Sequence, residues 1–382
     1  MKILIISNYF PPHFKGGYEL SCQEVANYLY EHGEDILVLT GDYLKSEPEG
    51  RSYYQVIRKL QYIDYLSKDY WNKSKVEKEN YAITNRFLDE FQPDFVYFWN
   101  QQYLSLAPYW AVKRRKIPHL FDIGDVWPLK YYREGFKARG KSFIKKILPN
   151  FVDAGMEVNP VIILSEWMKP LFVEKFGSKV IYTIPRGVKI KEDVTINPNV
   201  NNIKMMFASR IEPLKGLDLI IRVLSKLKEY KWTLDVYGDG DEEYIKSVKL
   251  LISNNSLGER ITLRGKIYPL DEAYKTHDLF LFPTLAKEGF GRVAIEAMSY
   301  GLPVLTVNEY GPNDLIEDGY NGYKCSPNDL VCWENNLKQI LSDEKLLIKM
   351  SNNAIETVKN KYDIKLINKQ RHDIIKEIYH SK

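Results

Sequence analysis

Short apolar runs alternate with longer segments of helical spacing along this chain, and this alternation constrains its fold more than any other feature. In the first half, mostly apolar runs of three to five residues occur at 3–7, 36–40, 95–98, 120–122, 161–164 and 181–184. Strands of a parallel sheet that is covered by helices on both faces have such continuous apolar sequences. The pattern therefore predicts an α/β fold built on a doubly wound parallel sheet.

A polar segment at 186–202 interrupts the alternation, and a second series of apolar runs then begins at residue 203. The chain has 382 residues, which is enough for two domains of similar size. We predict two Rossmann-like domains, at 1–185 and 203–361, joined by a linker at 186–202, with a helix at 362–382 that crosses back to the first domain. Such sheets bind ligands beyond the carboxyl ends of their strands, so we expect a site in a central cleft that both domains face.

The bulk composition narrows the classes of protein that fit. The first apolar run is shorter than the core of a signal peptide, and no stretch approaches the ~18 apolar residues of a membrane span. Cys22, Cys325 and Cys332 lack the spacing of metal ligands and fit a reducing compartment. A net charge of +4 is too small to indicate a nucleic-acid partner. We expect a cytoplasmic protein without a metal site.

Residues 131–151 form a basic amphipathic segment. Six lysine and arginine side chains stand there against a single glutamate, and five apolar residues fall on one helical face. Such a helix can lie on the anionic lipids at the inner face of a membrane, or it can pack on the first sheet with its lysines in water. Both interpretations stay open.

Two glycines and two cations follow the first strands of the two halves. Gly16 and Gly17 precede a predicted helix, where backbone amides either bind a phosphate or form a tight turn. Arg210 and Lys215 lie five positions apart after the strand that begins the second series. At the carboxyl end of a strand, a guanidinium and an ammonium suit a diphosphate, although both could simply be solvated in a loop.

The segment from Phe282 to Thr306 contains the strongest signal for function. Glu288 and Glu296 are separated by seven residues, and Gly289, Phe290 and Gly291 precede a predicted helix. Amides at a helix N-terminus form an anion site. Glu296 lies on an otherwise apolar stretch of that helix, so its carboxylate needs hydrogen-bond donors such as ribose hydroxyls. The alternative for both glutamates is a favourable charge near the helix dipole, which is weak for Glu296.

Several of these segments together resemble the retaining glycosyltransferases of family 4, also described as glycosyl transferases group 1, which have the GT-B fold. The resemblance is carried, in order along the chain, by PPHFKGGYELSCQEVANYLYEHGEDILVLT, IPRGVKI, SRIEPLKG, VYGDG, HDLFLFPTLAKEGFGRVAIEAMSYGLPVL and GYNGYKCSPND. It covers most of the second half and the opening of the first. It implies an enzyme with a UDP- or GDP-linked sugar donor, bound by the domain at 203–361, and a saccharide or lipid-linked acceptor, bound by the domain at 1–185. If the segment at 131–151 lies on a membrane, we expect a lipid-linked or membrane-bound acceptor, as in cell-envelope polysaccharide or glycolipid synthesis.

The resemblance also implies roles for individual residues. Arg210 and Lys215 would neutralise the departing diphosphate in place of a metal ion. Glu296 would hold the donor ribose, and Glu288 would contact the donor sugar or its phosphate. The donor cradle would be completed by backbone at Gly16, Gly17, Gly289, Phe290 and Gly291. In the mechanism that the resemblance implies, a phosphate oxygen of the leaving group takes the acceptor proton, so the protein supplies position and charge.

The chain departs from the family pattern in the first half. The family usually has a His-Asp pair near the sugar, whereas the sequence FDIGDVWP retains Asp125 but places Gly124 at the histidine position. Asp125 is either a sugar or acceptor contact or a helix N-cap. Asp122 is another candidate for the sugar contact.

Two other functions fit the same fold. A nucleotide-sugar epimerase would rearrange the sugar rather than transfer it, and acid-base carboxylates with a histidine would favour that function. A non-catalytic glycan-binding partner would be expected to have lost Arg210, Lys215 or Glu296, all of which are present. We predict a glycosyltransferase.

Overall fold

The computed structural model describes residues 1–42, 53–63, 70–131, 155–192, 194–196, 198 and 202–381. The chain divides into two units. Unit 1 comprises Met1–Pro185 and Ile367–Lys382, and unit 2 comprises Arg186–Leu366. The chain therefore leaves unit 1 once and returns to it through its last helix.

Unit 1 is built on a parallel sheet. Its described strands are β1 (Lys2–Ser7), β2 (Asp35–Gly41), β3 (Gln55–Leu60), β4 (Phe95–Phe98), β5 (His119–Ile123), β6 (Val161–Ile163) and β7 (Ile181–Thr183). Their order is β3-β2-β1-β4-β5-β6-β7. The central strands β1 and β4 are almost wholly buried because helices cover both faces of such a sheet. The predicted doubly wound parallel sheet is confirmed.

Helices of unit 1 connect these strands. They are α1 (Gly17–Glu31), α2 (Tyr70–Phe91), α3 (Ala107–Arg114) and α4 (Lys169–Phe176). In α1 the buried residues Cys22, Val25, Ala26 and Leu29 repeat at three- and four-residue spacing. This spacing gives the helix one apolar stripe, which packs on the sheet.

Unit 2 contains a second parallel sheet. Its described strands are β8 (Ile203–Ala208), β9 (Trp232–Tyr237), β10 (Ile261–Gly265), β11 (Leu279–Phe282), β12 (Val304–Val307) and β13 (Gly322–Cys325). Their order is β10-β9-β8-β11-β12-β13. The prediction of two parallel-sheet units is thus confirmed, although β3 and β13 were not predicted.

Seven described helices belong to unit 2, and three of them begin at an aspartate cap. The seven are α5 (Leu217–Leu224), α6 (Glu242–Asn254), α7 (Asp271–Tyr274), α8 (Arg292–Ser299), α9 (Tyr310–Leu315), α10 (Leu330–Ser342) and α11 (Glu344–Lys361). Asp241, Asp329 and Asp343 each precede one of them and accept a hydrogen bond from the backbone amide three residues on. Each such cap satisfies a helix amide that has no partner within the helix.

The last helix, α12 (Ile364–His380), packs its apolar face into the core of unit 1. Its Arg371 is buried, and Nε donates to Oδ2 of Asp122 at 2.9 Å. The same guanidinium donates through Nη2 to the carbonyls of Ile184 at 3.1 Å and Pro185 at 3.0 Å. Arg371 thereby ties the last helix to β5 and to the end of the first segment of unit 1.

Cys325 and Cys332 form a disulfide with Cα atoms 5.8 Å apart. It joins the end of β13 to the first turn of α10. This pairing was not predicted, because the cysteines were taken only as a sign of a reducing compartment. Cys22 is buried and takes no part in this disulfide.

The basic amphipathic segment predicted at 131–151 lies, from residue 132 onward, outside the described residues. In the ranges that are described, no helix is both long and apolar enough to cross a membrane.

Candidate functional site

The strand order of unit 2 reverses between β8 and β11. From β8 the chain proceeds to β9 and β10 on one side, whereas β11, β12 and β13 lie on the other. The loops that follow β8 and β11 therefore lie at the carboxyl edge of the sheet, at the switch point where doubly wound folds bind ligands. These loops are residues 209–216 and 283–291, and they contain most of the predicted donor-site residues.

Backbone contacts hold the two loops tightly together. The amides of Leu285 and Ala286 donate to the carbonyl of Leu214 at 2.8 and 3.1 Å. Gly216 has φ +70°, and a Cβ there would lie 2.1 Å from the carbonyl oxygen of Pro283. Only glycine fits this position, because any side chain would separate the loops.

Lys215 and Glu288 meet across these loops. The Lys215 Nζ donates to Glu288 Oε1, and Thr284 Oγ1 also donates to that oxygen at 3.4 Å. The side chains are 11% and 24% exposed, so water screens the pair only in part. The two predicted site residues are thus brought together as an ion pair, a contact that the sequence analysis did not foresee.

Arg210 lies on the same loop as Lys215 but faces a different partner. Its Nη1 contacts Oε2 of Glu212 at 2.9 Å, and the arginine side chain is 70% exposed. A guanidinium with this exposure loses little in exchanging one carboxylate for another anion. Arg210 is therefore a reachable cation at the carboxyl edge of the sheet.

The sequence from Glu288 to Gly291 leads into α8. Gly291 is the N-cap of α8 with φ +116°, and a Cβ there would lie 2.9 Å from the Phe282 ring. The Gly311 amide donates to the Glu288 carbonyl at 3.1 Å, and a Cβ on Gly311 would lie 2.5 Å from backbone atoms of Phe290. The loop that carries Glu288, Gly289 and Phe290 is thus fixed on both sides by close contacts.

Glu296 lies just over one turn into α8, with its side chain 31% exposed. Arg292 Nε donates to its Oε1 at 2.8 Å, and the Tyr274 hydroxyl donates to Oε2 at 3.4 Å. Burial, together with the negative charge of Glu296, raises the pKa of Tyr274 well above its ordinary value. The donors that the sequence analysis required for this carboxylate are present within the protein.

In unit 1, Gly16 is the N-cap of α1 and Gly17 is its first residue, and a carboxylate of the chain reaches the amide of Gly16. Glu19 Oε2 accepts from the amide of Gly16 at 3.1 Å and from that of Lys15 at 3.4 Å. Burial raises the pKa of Glu19, against the effect of these amides. The Gly16 amide is therefore already used inside the protein, and sequence reasoning missed Glu19.

Asp125 and Gly124 follow β5. Asp125 Oδ1 accepts from the amide of Trp127 at 2.6 Å and so caps the 3₁₀ turn at 127–131. The ring of Tyr18 lies over Gly124, 3.2 Å from where a Cβ would be, and its hydroxyl donates to the Asp122 carbonyl. The Tyr18 ring thus occupies space that a larger residue at 124 would need.

The chain is similar to known glycosyltransferases along most of its length. The family model Glycosyltransferase Family 4 matches residues 15–192, and the model Glycosyl transferases group 1 matches residues 189–357. An uncharacterized glycosyltransferase of Methanocaldococcus jannaschii is 25% identical over 93% of each chain. A poly(ribitol-phosphate) alpha-N-acetylglucosaminyltransferase of Staphylococcus aureus is 26% identical over 65% of this chain and 51% of its own length.

Coverage limits what some of these relatives imply. Three of the curated relatives are matched over only 24% to 55% of their own length.

Among solved structures, the Anabaena protein HepE in complex with UDP and glucose superposes with a TM-score of 0.74. It is 20% identical, and the likeness covers 99% of this chain and 100% of that one. At this identity the likeness shows the fold, which is the GT-B arrangement of two Rossmann-like domains.

Proposed function

The chain belongs to the glycosyltransferases of group 1 and family 4, and from this membership we propose that it transfers a sugar from a nucleotide diphosphate donor to an acceptor hydroxyl, with retention of configuration. One observation carries the proposal. Lys215 and Glu288 meet at the switch point of the sheet of unit 2, beside a glycine-flanked helix N-terminus. A diphosphate bound there would exchange the carboxylate partner of Lys215 for a phosphate oxygen.

The donor site that we propose uses both cations of the loop after β8. Lys215 would contact the phosphate nearest the sugar, and the exposed Arg210 would close on the other side of the diphosphate. Backbone amides near Gly291 would add donors at the positive end of α8. Arg292 and Tyr274 already donate to the carboxylate of Glu296. A carboxylate can accept further hydrogen bonds, and we propose that Glu296 accepts them from the ribose hydroxyls.

The chemistry requires stabilisation of the negative charge that develops as the sugar–phosphate bond breaks. We propose that Lys215 and Arg210 supply it without a metal ion, and that a phosphate oxygen of the leaving group takes the acceptor proton. Removal of one preorganised hydrogen-bond donor to a developing negative charge typically lowers kcat by about 10²–10³. Asp125 of unit 1 is proposed as a sugar or acceptor contact that also caps its 3₁₀ turn.

The relatives support a narrower version of the proposal. HepE binds UDP and glucose, and the Staphylococcus aureus relative is named as an N-acetylglucosaminyltransferase that acts on poly(ribitol-phosphate). We therefore propose a UDP-linked donor rather than a GDP-linked one. We also propose an acceptor of cell-envelope polysaccharide or glycolipid synthesis at the inner face of the membrane.

Thermal unfolding against a panel of nucleotides tests the donor site. A ligand that binds only the folded protein raises the melting temperature, so UDP and its sugars should raise it without added metal. Lys215→Ala should abolish turnover and the UDP-induced shift, while the protein still unfolds cooperatively at a melting temperature only a few degrees lower, because one mostly buried ion pair is lost. Lys349→Ala, an exposed lysine on α11, is the matched control.

Product analysis separates this function from its rivals. Transfer to an acceptor, or slow hydrolysis of one UDP-sugar, supports a transferase. If the nucleotide sugar is recovered with an inverted stereocentre and no sugar has been transferred, the protein is an epimerase. If no nucleotide shifts the melting temperature and Lys215→Ala changes nothing, the proposed donor site is wrong.

A further inference from the structure

We infer that the disulfide between Cys325 and Cys332 is a redox site whose substrate is a dithiol, and that its reduction loosens the loops of the proposed donor site. The reduction takes place in the folded protein and is reversible. Its effect on the affinity for UDP rests on the proposed function, whereas the reduction itself does not.

The two cysteines of the disulfide differ in exposure. Cys325 ends β13 and is 1% exposed, whereas Cys332 lies in the first turn of α10 and is half-buried. The connection between them includes Asn328 and Asp329, which are exposed. Access to a sulfur decides whether a thiolate can attack it. A dithiol therefore attacks the Cys332 sulfur, and Cys325 is the leaving group.

A side-chain amide lies against both sulfurs. Asn336, one turn after Cys332 on α10, donates through Nδ2 to Cys325 Sγ at 3.2 Å and to Cys332 Sγ at 3.5 Å. A hydrogen bond to the charged form of a group favours that form, so this amide stabilises the thiolate that leaves when the S–S bond breaks. A thiolate that is stabilised in this way leaves faster. Asn336 therefore promotes thiol–disulfide exchange at this position.

The exchange consists of two balanced steps. One thiolate of the dithiol attacks Cys332 Sγ, the S–S bond breaks, and Cys325 leaves as a thiolate that takes up a proton. The second thiol of the dithiol then loses its proton and attacks the dithiol sulfur that is bonded to Cys332, which releases Cys332 as a thiolate that is protonated in turn. Two electrons pass from the dithiol to the protein, and the dithiol becomes a disulfide.

Backbone contacts connect the disulfide to the donor site. The amide of Asn308, which follows β12, donates to the carbonyl of Cys325 at 2.9 Å. Three residues later, in α9, the amide of Gly311 donates to the carbonyl of Glu288 at 3.1 Å. The segment 308–311 therefore joins the end of β13 to the loop that carries Glu288.

The connecting segment contains a strained residue. Tyr310, the first residue of α9, has φ +55°, a left-handed conformation that is unfavourable for residues other than glycine. Such a conformation persists only where the surrounding contacts hold it. β13 supplies two of these contacts, through the Cys325 carbonyl and through Lys324 Nζ, which donates to the Asn313 carbonyl at 3.2 Å. Because the disulfide fixes the end of β13 against α10, its reduction lets the strained segment relax.

The kinetics of reduction in the folded protein test the redox site. Dithiothreitol near neutral pH should produce two additional alkylatable thiols per chain within minutes, and oxidised glutathione should restore the disulfide. Circular dichroism should show that the protein stays folded throughout. A disulfide that only holds the fold together would instead be reduced at the rate of global unfolding, which urea accelerates.

Variants assign the reactivity to the contacts around the sulfurs. Asn336→Leu removes the amide donor and should slow reduction by about fivefold, the effect of losing one hydrogen bond. Asn352→Leu replaces an exposed asparagine on α11 and should leave the rate unchanged. Cys332→Ser cannot form the disulfide, so it should behave like the reduced protein and should not respond to dithiothreitol.

Hydrogen exchange and UDP titration measure the effect on the donor site. Reduction should speed amide exchange at 283–291 and 308–315 and leave exchange in β2 of unit 1 unchanged. The Kd for UDP should rise about fivefold, at the lower end of the usual coupling between two sites. Because such coupling is reciprocal, saturating UDP should shift the equilibrium in a dithiothreitol redox buffer toward the disulfide by the same factor.

The inference is overturned if the disulfide is reduced only at the rate of global unfolding, if Asn336→Leu is reduced as fast as the unmodified protein, or if reduction leaves hydrogen exchange at both loops unchanged. UDP separates these failures from that of the proposed function. If both redox forms bind UDP equally, the coupling is refuted and the donor site stands. If neither form binds UDP, the donor site is wrong, and the reduction kinetics and hydrogen exchange still decide the inference.

Discussion

Glu288 forms an ion pair with Lys215, and this contact predicts how the affinity for UDP changes when the charge of Glu288 is removed. If the diphosphate replaces the Glu288 carboxylate at Lys215, Glu288→Gln removes the competing charge. The variant should then bind UDP more tightly than the unmodified protein does. If Glu288 also contacts the donor sugar, the variant should gain less for a UDP-sugar and should turn it over more slowly.

The size of the gain in UDP affinity follows from the strength of the hydrogen bond between Lys215 and Glu288, which UDP has to displace. A charge-assisted hydrogen bond contributes about 1.5–3 kcal/mol, and partial exposure of both side chains reduces this toward the lower end. A glutamine amide keeps part of the contact, which leaves a gain of about 1–2 kcal/mol for UDP. This corresponds to a Kd about 5- to 30-fold lower.

Isothermal titration with UDP measures this change directly. Glu334→Gln is a matched control, because Glu334 forms ion pairs with Lys226 and Lys338 in unit 2. Raising the salt concentration should weaken UDP binding by the unmodified protein and by the variant alike, since both retain Lys215. The reasoning is refuted if Glu288→Gln binds UDP equally well or less tightly, because Glu288 would then assist the diphosphate rather than compete with it.

Three further predictions concern stability. Gly311→Ala should lower the free energy of unfolding by about 1–3 kcal/mol and weaken UDP binding, because the added Cβ would overlap the backbone of Phe290. Urea unfolding and isothermal titration measure the two effects, and Gly258→Ala, whose Cβ would meet open space, is the control. The raised pKa of Glu19 penalises its ionised form, so Glu19→Gln should match the unmodified protein well below pH 4.5 and become increasingly more stable as pH rises above it, measured by urea midpoints across that range. Arg371→Met should cost about 3–5 kcal/mol by leaving Asp122 buried without its cation, and adding Asp122→Asn should recover part of that loss in the same assay.

The interior strands of both sheets could be predicted from sequence, whereas two edge strands could not. Strands such as β1 and β4 are buried on both faces, so they appear as uninterrupted apolar runs. β3 has the sequence QVIRKL and β13 the sequence GYKC, and each lies at an edge of its sheet. An edge strand has a neighbour on one side only and tolerates polar and small residues, so its sequence lacks the apolar signal.

The candidate site was predicted as a set of positions rather than as a set of contacts. Lys215 was selected with Arg210 because both follow the strand that begins the second series, whereas Glu288 was selected with Glu296 on the segment that leads into a predicted helix. The strands β8 and β11 are neighbours only because the sheet reverses its order between them, and local sequence does not encode that adjacency. Glu19 was missed for a related reason. In the sequence it is an ordinary glutamate in the first turn of a helix, and the contact of its carboxylate with the preceding turn appears only in the structure.

The Lys215–Glu288 pair also bears on how the site would select its ligand. The ammonium already has one carboxylate partner, so an incoming anion gains only the difference between its own attraction and that of Glu288. A monophosphate or a carboxylate offers little more than the group it displaces. A diphosphate spans Lys215 and the exposed Arg210 together, and it can also reach the amides at the start of α8. The internal carboxylate therefore turns a generally basic loop into one that favours extended polyanions, which is the selectivity that a nucleotide diphosphate donor requires.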